Sequence, residues 1–171
     1  FSAITNLYLP ITRLAKKIKK VLDVPIIIGG IHPTSIPEEV IKDECYDAVC
    51  IGEGEEPLEE LLQRLEQKRP YTDVKNLWVR DAEGKIHKNP KRPIIKSLDT
   101  LPTADKSLFE KYGALGSQLN IMTTRGCPFE CTFCVNSFRN SLYTGETYLR
   151  QRSVKNVIDG ITDILKTYKF K

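Results

Sequence analysis

The sequence predicts an α/β protein, and three observations carry that prediction. Helical apolar stripes alternate with short runs of branched apolar residues that end in glycine. A hairpin signal and a proline-spaced stretch then break the alternation. A strand-like run, a loop holding three of the five cysteines and a last amphipathic helix follow.

The first stripe runs through Ile11, Leu14, Ala15, Ile18, Val21 and Leu22, with Lys16, Lys17, Lys19 and Lys20 mostly on the wet side. Residues 24–28 (VPIII) form a short branched run closed by Gly29-Gly30, which reads as a buried parallel strand. Pro37 opens a short helix to about Asp43, and Ala48-Val49-Cys50-Ile51 gives a second buried strand. The loop Gly52-Glu53-Gly54-Glu55-Glu56-Pro57 leads into a helix with Leu58, Leu61, Leu62 and Leu65 on one face. Such alternation predicts a doubly wound sheet with parallel strands. Beyond Lys68, residues 77–80 and 85–88 flank Asp81-Ala82-Glu83-Gly84, a hairpin with glycine in its turn. Pro90, Pro93 and Pro102 mark a crossing connector. Residues 118–124 are the next strand, and Ser153 caps a helix striped by Val154, Val157, Ile158, Ile161, Ile164, Leu165 and Tyr168. Strand, functional loop and helix make the first βα unit of a barrel, whose active sites lie at strand C-termini.

Composition narrows the function classes. A 40% hydrophobic and 28% charged chain of 171 residues is an ordinary soluble composition. The net charge of +4 is spread over lysine-rich faces and the 88–92 stretch, which reads as solvated surface rather than a nucleic-acid site. No apolar run reaches the roughly 18 residues of a membrane span, and no secretory signal is visible. Five cysteines, three of them closely spaced, fit a reducing compartment rather than a disulfide framework. The sequence opens abruptly at Phe1 and stops at Lys171 straight after a helix, and is read as an internal piece of a larger protein.

The cysteine loop carries the sharpest chemistry. Cys127, Cys131 and Cys134 stand in C-x3-C-x2-C spacing directly after a strand. Three thiolates reached from one loop hold an iron–sulfur cube with one iron left open to bind and reduce something. The competing reading is a zinc half-site, but no Cys or His follows Cys134 to complete four ligands. Cys45 and Cys50, in or beside a buried strand, read as small core hydrophobes. Glu53, Glu55 and Glu56 suit the start of the following helix, where its dipole favours acids.

The residues around these thiols resemble the signature of radical S-adenosylmethionine enzymes. The resemblance rests on the three cysteines, the preceding Thr123-Thr124-Arg125-Gly126, the following Pro128 and the aromatic Phe133. It implies a [4Fe–4S] cluster on Cys127, Cys131 and Cys134, S-adenosylmethionine on the fourth iron, and Phe133 near the adenine. Gly126 suits a backbone that wraps a bulky cluster.

Upstream, Gly29-Gly30-Ile31-His32-Pro33-Thr34 and Gly52-Glu53-Gly54-Glu55 follow the two strands. Glycine-rich loops at strand C-termini line the ligand crevice of open α/β sheets, though a glycine pair after a strand is also plain turn chemistry. Their wording resembles the cobalamin-binding domain that precedes the radical domain in one large subfamily. That resemblance implies that Gly29 and Gly30 leave room for the nucleotide tail of cobalamin and that Ser2 faces its benzimidazole. The subfamily's cobalt-ligating histidine motif lies earlier in the sequence, and His32 is not read in that role.

The expected architecture is therefore the C-terminal part of a doubly wound, Rossmann-like cobalamin-binding domain over residues 1–67, a hairpin and linker over 68–114, and the start of a partial TIM-like radical S-adenosylmethionine barrel over 115–171. The resemblance implies reductive cleavage of S-adenosylmethionine to start radical chemistry, such as methyl transfer or cyclisation. A reducing donor such as flavodoxin or ferredoxin and a cytoplasmic setting go with it. No residue is assigned a catalytic role. The alternative is a non-catalytic module that holds cobalamin or a cluster. Methylthio-transferring relatives are disfavoured, since only Cys45 and Cys50 lie upstream where those proteins carry three further cluster cysteines.

Overall fold

The computed structural model describes residues 1–116 and 118–169. They gather into two units, Phe1–Ile94 and Ile95–Lys171. Among the described residues, no helix is long and apolar enough to cross a membrane.

The first unit contains α1 (Thr5–Lys19), β1 (Ile27–Ile28), α2 (Ile31–Ser35), α3 (Pro37–Val40), β2 (Ala48–Cys50), α4 (Glu55–Glu66), β3 (Leu77–Arg80) and β4 (Ile86–Lys88). β1 and β2 pair in parallel, Ile27 beside Ala48 and Ile28 beside Val49, as the buried runs predict. On the other side of β1 the chain start is also parallel: Ser2 bridges Gly29, the Ala3 N–H donates to the Gly29 carbonyl, and the Gly29 N–H to that of Phe1. Because strand side chains alternate, each face buries its own set. Ile28 and Val49 pack with Ala15, Val40 and Tyr46 on one face. Ala48 and Cys50 pack with Leu61, Val74 and Leu77 on the other. Helices thus cover both faces, the doubly wound arrangement the sequence predicts.

Three local features differ from the sequence expectation. α1 begins at Thr5 and runs through Pro10, rather than starting at Ile11. The glycine-rich turn expected over Gly29 to Thr34 runs into the short helix α2; Pro33 is tolerated because first-turn N–H groups have no intrahelical partner to lose. The hairpin, expected within the linker, joins the sheet: β3 pairs antiparallel with β2, and β4 with β3. The cause is burial, since Leu77 and Val79 are fully buried against the core of α4 and β2. The tip is held by the Asp81 carboxylate, which accepts from the N–H groups of Glu83 and Lys85.

The second unit holds a 3-10 turn (Leu98–Thr100), α5 (Ser107–Lys111), β5 (Thr124–Arg125), α6 (Val135–Leu142), β6 (Arg150–Gln151) and α7 (Val154–Thr167). The expected strand over 118–124 contracts to Thr124–Arg125, which pairs antiparallel with β6. Gly126 makes that pairing possible. It has φ +91°, and a Cβ there would lie 2.6 Å from the Tyr148 carbonyl oxygen. The pressure for glycine at 126 therefore comes from the protein's own chain. α7 is capped as predicted, with Ser153 Oγ accepting from the Asn156 N–H at 3.1 Å. Arg150 is buried, and its guanidinium donates to the Ile95 carbonyl.

Candidate cofactor sites

The loops at the C-terminal ends of β1 and β2 meet at one rim of the first unit. Ser2, Gly29 and Gly30 are brought together there: Ser2 lies beside Gly29 in the sheet, and a Cβ on Gly30 would fall 2.8 Å from Ser2 Oγ. The same Cβ would fall 2.8 Å from both the backbone N and O of Ala3. Gly30 is therefore demanded by the backbone of Ala3 before any ligand is considered. Its φ of 97° and ψ of −171° belong to a region that only glycine populates readily.

Two residues that sequence reasoning missed fix this rim. Thr34 Oγ1 accepts from the Gly52 N–H at 3.1 Å, tying the loop after β1 to the loop after β2. Thr34 lies inside the His32-Pro33-Thr34 motif, which is its signal in the sequence. Asn76 is the second, and no motif marks it. His32, as a loop histidine, is expected to bond its own backbone, but its ring does not. Nδ1 pairs with Thr5 Oγ1, the ring packs at a tilt against Tyr8 with centroids 4.5 Å apart, and Nε2 is buried without a hydrogen-bond partner. Glu55 and Glu56 occupy the first turn of α4, as their dipole preference predicts.

The cysteine loop spans the gap between β5 and α6. Cys127 and Cys134 are half-buried, Cys131 is exposed, and all three thiols are free. The Cys134 N–H and the Ser137 hydroxyl both donate to the Cys131 carbonyl, so the second half of the loop closes onto the start of α6. Phe133 projects outward, 92% exposed. Among the described residues, no three His, Cys, Asp or Glu side chains are gathered into a metal site. The donor chemistry nevertheless fits a three-thiolate cluster, and closing it requires the loop side chains to turn toward one another. Cobalamin would find four glycines (Gly29, Gly30, Gly52 and Gly54) and the orphaned His32 Nε2 at this end of the sheet, a backbone-lined surface suited to a large ligand.

Cys45 and Cys50 are each 4% exposed, and burial, helped by Glu55, pushes the Cys50 thiol up to about 12. The five thiols therefore divide by reactivity. Treating the cluster-free folded protein with iodoacetamide is expected to label Cys127, Cys131 and Cys134 and to spare Cys45 and Cys50. Peptide mass spectrometry checks this, and labelling of Cys50 as fast as Cys131 would contradict it.

Residues 1–62 match the B12-binding domain family. The chain superimposes on the radical S-adenosylmethionine methyltransferase TsrM of Kitasatospora setae with a TM-score of 0.64 and 20% identity, over 94% of this chain and 31% of that one. The cobalamin-dependent S-adenosylmethionine radical enzyme OxsB gives a TM-score of 0.64 at 23% identity, over 94% and 22%. The chain carries a B12-binding domain followed by a radical-S-adenosylmethionine-like fold. Ser2, Gly29 and Gly30 all fall within residues 1–62, and the three closely spaced cysteines within the second unit. An uncharacterized methyltransferase of Pyrococcus horikoshii is 34% identical over 165 residues, 94% of this chain and 34% of that protein. An anaerobic magnesium-protoporphyrin IX monomethyl ester cyclase of Rubrivivax gelatinosus is 30% identical over 165 residues, 91% of this chain and 28% of that protein. The chain thus spans about a third of the length of these relatives.

Proposed function

We propose that the protein containing this chain is a cobalamin-dependent radical S-adenosylmethionine enzyme. One observation carries the reading: a B12-binding domain over residues 1–62 is followed, in the same chain, by a three-cysteine loop in a radical-S-adenosylmethionine-like fold. Cys127, Cys131 and Cys134 would hold a [4Fe–4S] cluster, and the exposed Phe133 would lie near the adenine of S-adenosylmethionine. Ser2, Gly29 and Gly30 would border the cobalamin tail. When bound, these groups supply one-electron cleavage of the sulfonium and a carrier for a methyl group or for rearrangement. The relatives' names, methyltransferase and cyclase, support methyl transfer or ring closure as the outcome.

The reading also needs a one-electron donor such as flavodoxin or ferredoxin. Acids and bases balance before residue 95, so the whole net charge of +4 falls on residues 95–171. An acidic donor would be steered to that part of the chain. Five free thiols fit a reducing, cytoplasmic setting.

The deciding experiment uses the full-length protein, reconstituted anaerobically with iron and sulfide, reduced with dithionite and supplied with S-adenosylmethionine. Release of methionine and 5′-deoxyadenosine is expected. Binding of both cofactors without any product of S-adenosylmethionine under reducing conditions would identify a non-catalytic module instead.

A further inference from the structure

The rim loop after β2 is held from behind by a residue that belongs to neither glycine motif. Asn76 stands just before β3, is 2% exposed, and has φ +71°. Asparagine tolerates this left-handed conformation better than most side chains. Its side-chain amide donates to the Ile51 carbonyl at 2.8 Å and to the Glu53 carbonyl at 3.3 Å. Its backbone carbonyl accepts from the Ile51 N–H at 2.9 Å. A single residue thus clamps both sides of Gly52, the glycine whose N–H Thr34 already holds.

Asn76 also faces the other way. Its Oδ1 accepts from the Arg92 N–H at 2.6 Å, and its N–H donates to the Pro90 carbonyl at 2.9 Å. This outgoing segment, through which the chain leaves β4, is fastened again by Arg92 to Glu60 and Glu56 on α4. Asn89 fastens it once more, donating to the carbonyls of Thr72 and Leu77, each at 2.8 Å. Every hydrogen-bonding group of Asn76 is therefore used, and all of its bonds go either to the rim loop or to the outgoing segment.

We propose that Asn76 is a positioning residue for the rim: it sets the loop at residues 51–53 against the outgoing segment at residues 90–92, so that the binding surface after β2 is preformed. A loop held by buried side-chain bonds from a rigid neighbour presents its backbone to a ligand without first having to be ordered. Removing the amide leaves the Ile51 and Glu53 carbonyls and the Arg92 N–H without this partner, while the positive φ survives if glycine replaces it. The consequence for cobalamin rests on the proposed function; the consequence for the loop does not.

The test compares Asn76→Gly with Asn89→Ala in the full-length protein. Both remove side-chain hydrogen bonds from the same fastening, but only the first touches the rim loop. In Asn76→Gly, hydrogen–deuterium exchange of the peptide covering residues 51–55 is expected to speed up about tenfold, and hydroxocobalamin affinity in an absorbance titration to fall about tenfold. In Asn89→Ala both are expected to stay at the wild-type level, even where the melting temperature falls as far. Should the glycine variant not fold, Asn76→Asp, which keeps the acceptor for Arg92 and loses both donors, carries the same expectation. Unchanged loop exchange overturns the proposal. So does unchanged cobalamin affinity, or a loss that Asn89→Ala reproduces. Wild-type protein that binds no cobalamin defeats the cofactor reading instead, and the exchange comparison still judges Asn76.

Discussion

Replacing any one of Cys127, Cys131 or Cys134 with alanine is expected to remove the whole iron complement, about four irons per chain, from the anaerobically reconstituted protein. Each thiolate ligates a different iron of the cube, so losing one leaves two irons without a protein ligand, and two thiols on a solvent-facing loop do not retain the cluster. The sequence supplies no replacement thiol: Cys45 and Cys50 are buried core residues, and no further Cys or His follows Cys134. Iron and sulfide analysis with electron paramagnetic resonance of the reduced protein checks the result. Full iron retention in any single variant would overturn the ligand assignment. Stoichiometric zinc in the wild type would restore the zinc reading, with a ligand supplied from elsewhere.

Gly30→Leu is expected to destabilise the B12-binding domain itself rather than merely loosen its ligand. Two costs add. The backbone at Gly30 sits where non-glycine residues are strained, and the new Cβ would press on the Ala3 backbone at 2.8 Å, an atom pair with no side-chain freedom to yield. Together they amount to about 3 kcal/mol or more, a large part of the stability of a small domain. Thermal melting followed by circular dichroism checks the loss. A variant that melts like wild type would show that Ala3 gives way freely and that Gly30 is glycine for some other reason. Gly30 is thus a poor probe of cobalamin binding; Ser2, exposed and beside Gly29, is the better one.

Much of the first unit was legible because each buried run was short, branched and closed by glycine, which left little besides a parallel pair covered by helices. The hairpin itself was equally plain. Its attachment to β2 was not, because edge pairing is decided by which neighbour can bury Leu77 and Val79, and no local pattern encodes that partner. In the second unit, β6 escaped notice because Arg150 and Gln151 are a two-residue strand with a buried arginine, against every composition rule for strands. The cysteine loop could be read from spacing alone, since chelation by one loop leaves its mark in adjacent positions. Asn76 could not: its partners lie 25, 23 and 16 residues away and are mostly carbonyls, which any sequence supplies.

The hairpin gives this protein an engineering handle. Cys50, the last residue of β2, pairs with Leu77, the first of β3, so β3 runs away from the glycine-rich rim and the tip at residues 81–85 lies at the opposite pole of the sheet. Gly84 has nothing within 4 Å of where a Cβ would stand, and Ala82 and Glu83 are exposed. Exposed tips of this kind accept inserted sequence with little disturbance to the strands beneath. An affinity tag or a fluorophore carried on this tip would therefore report on the domain, or immobilise it, while the rim stays clear for cofactor titration.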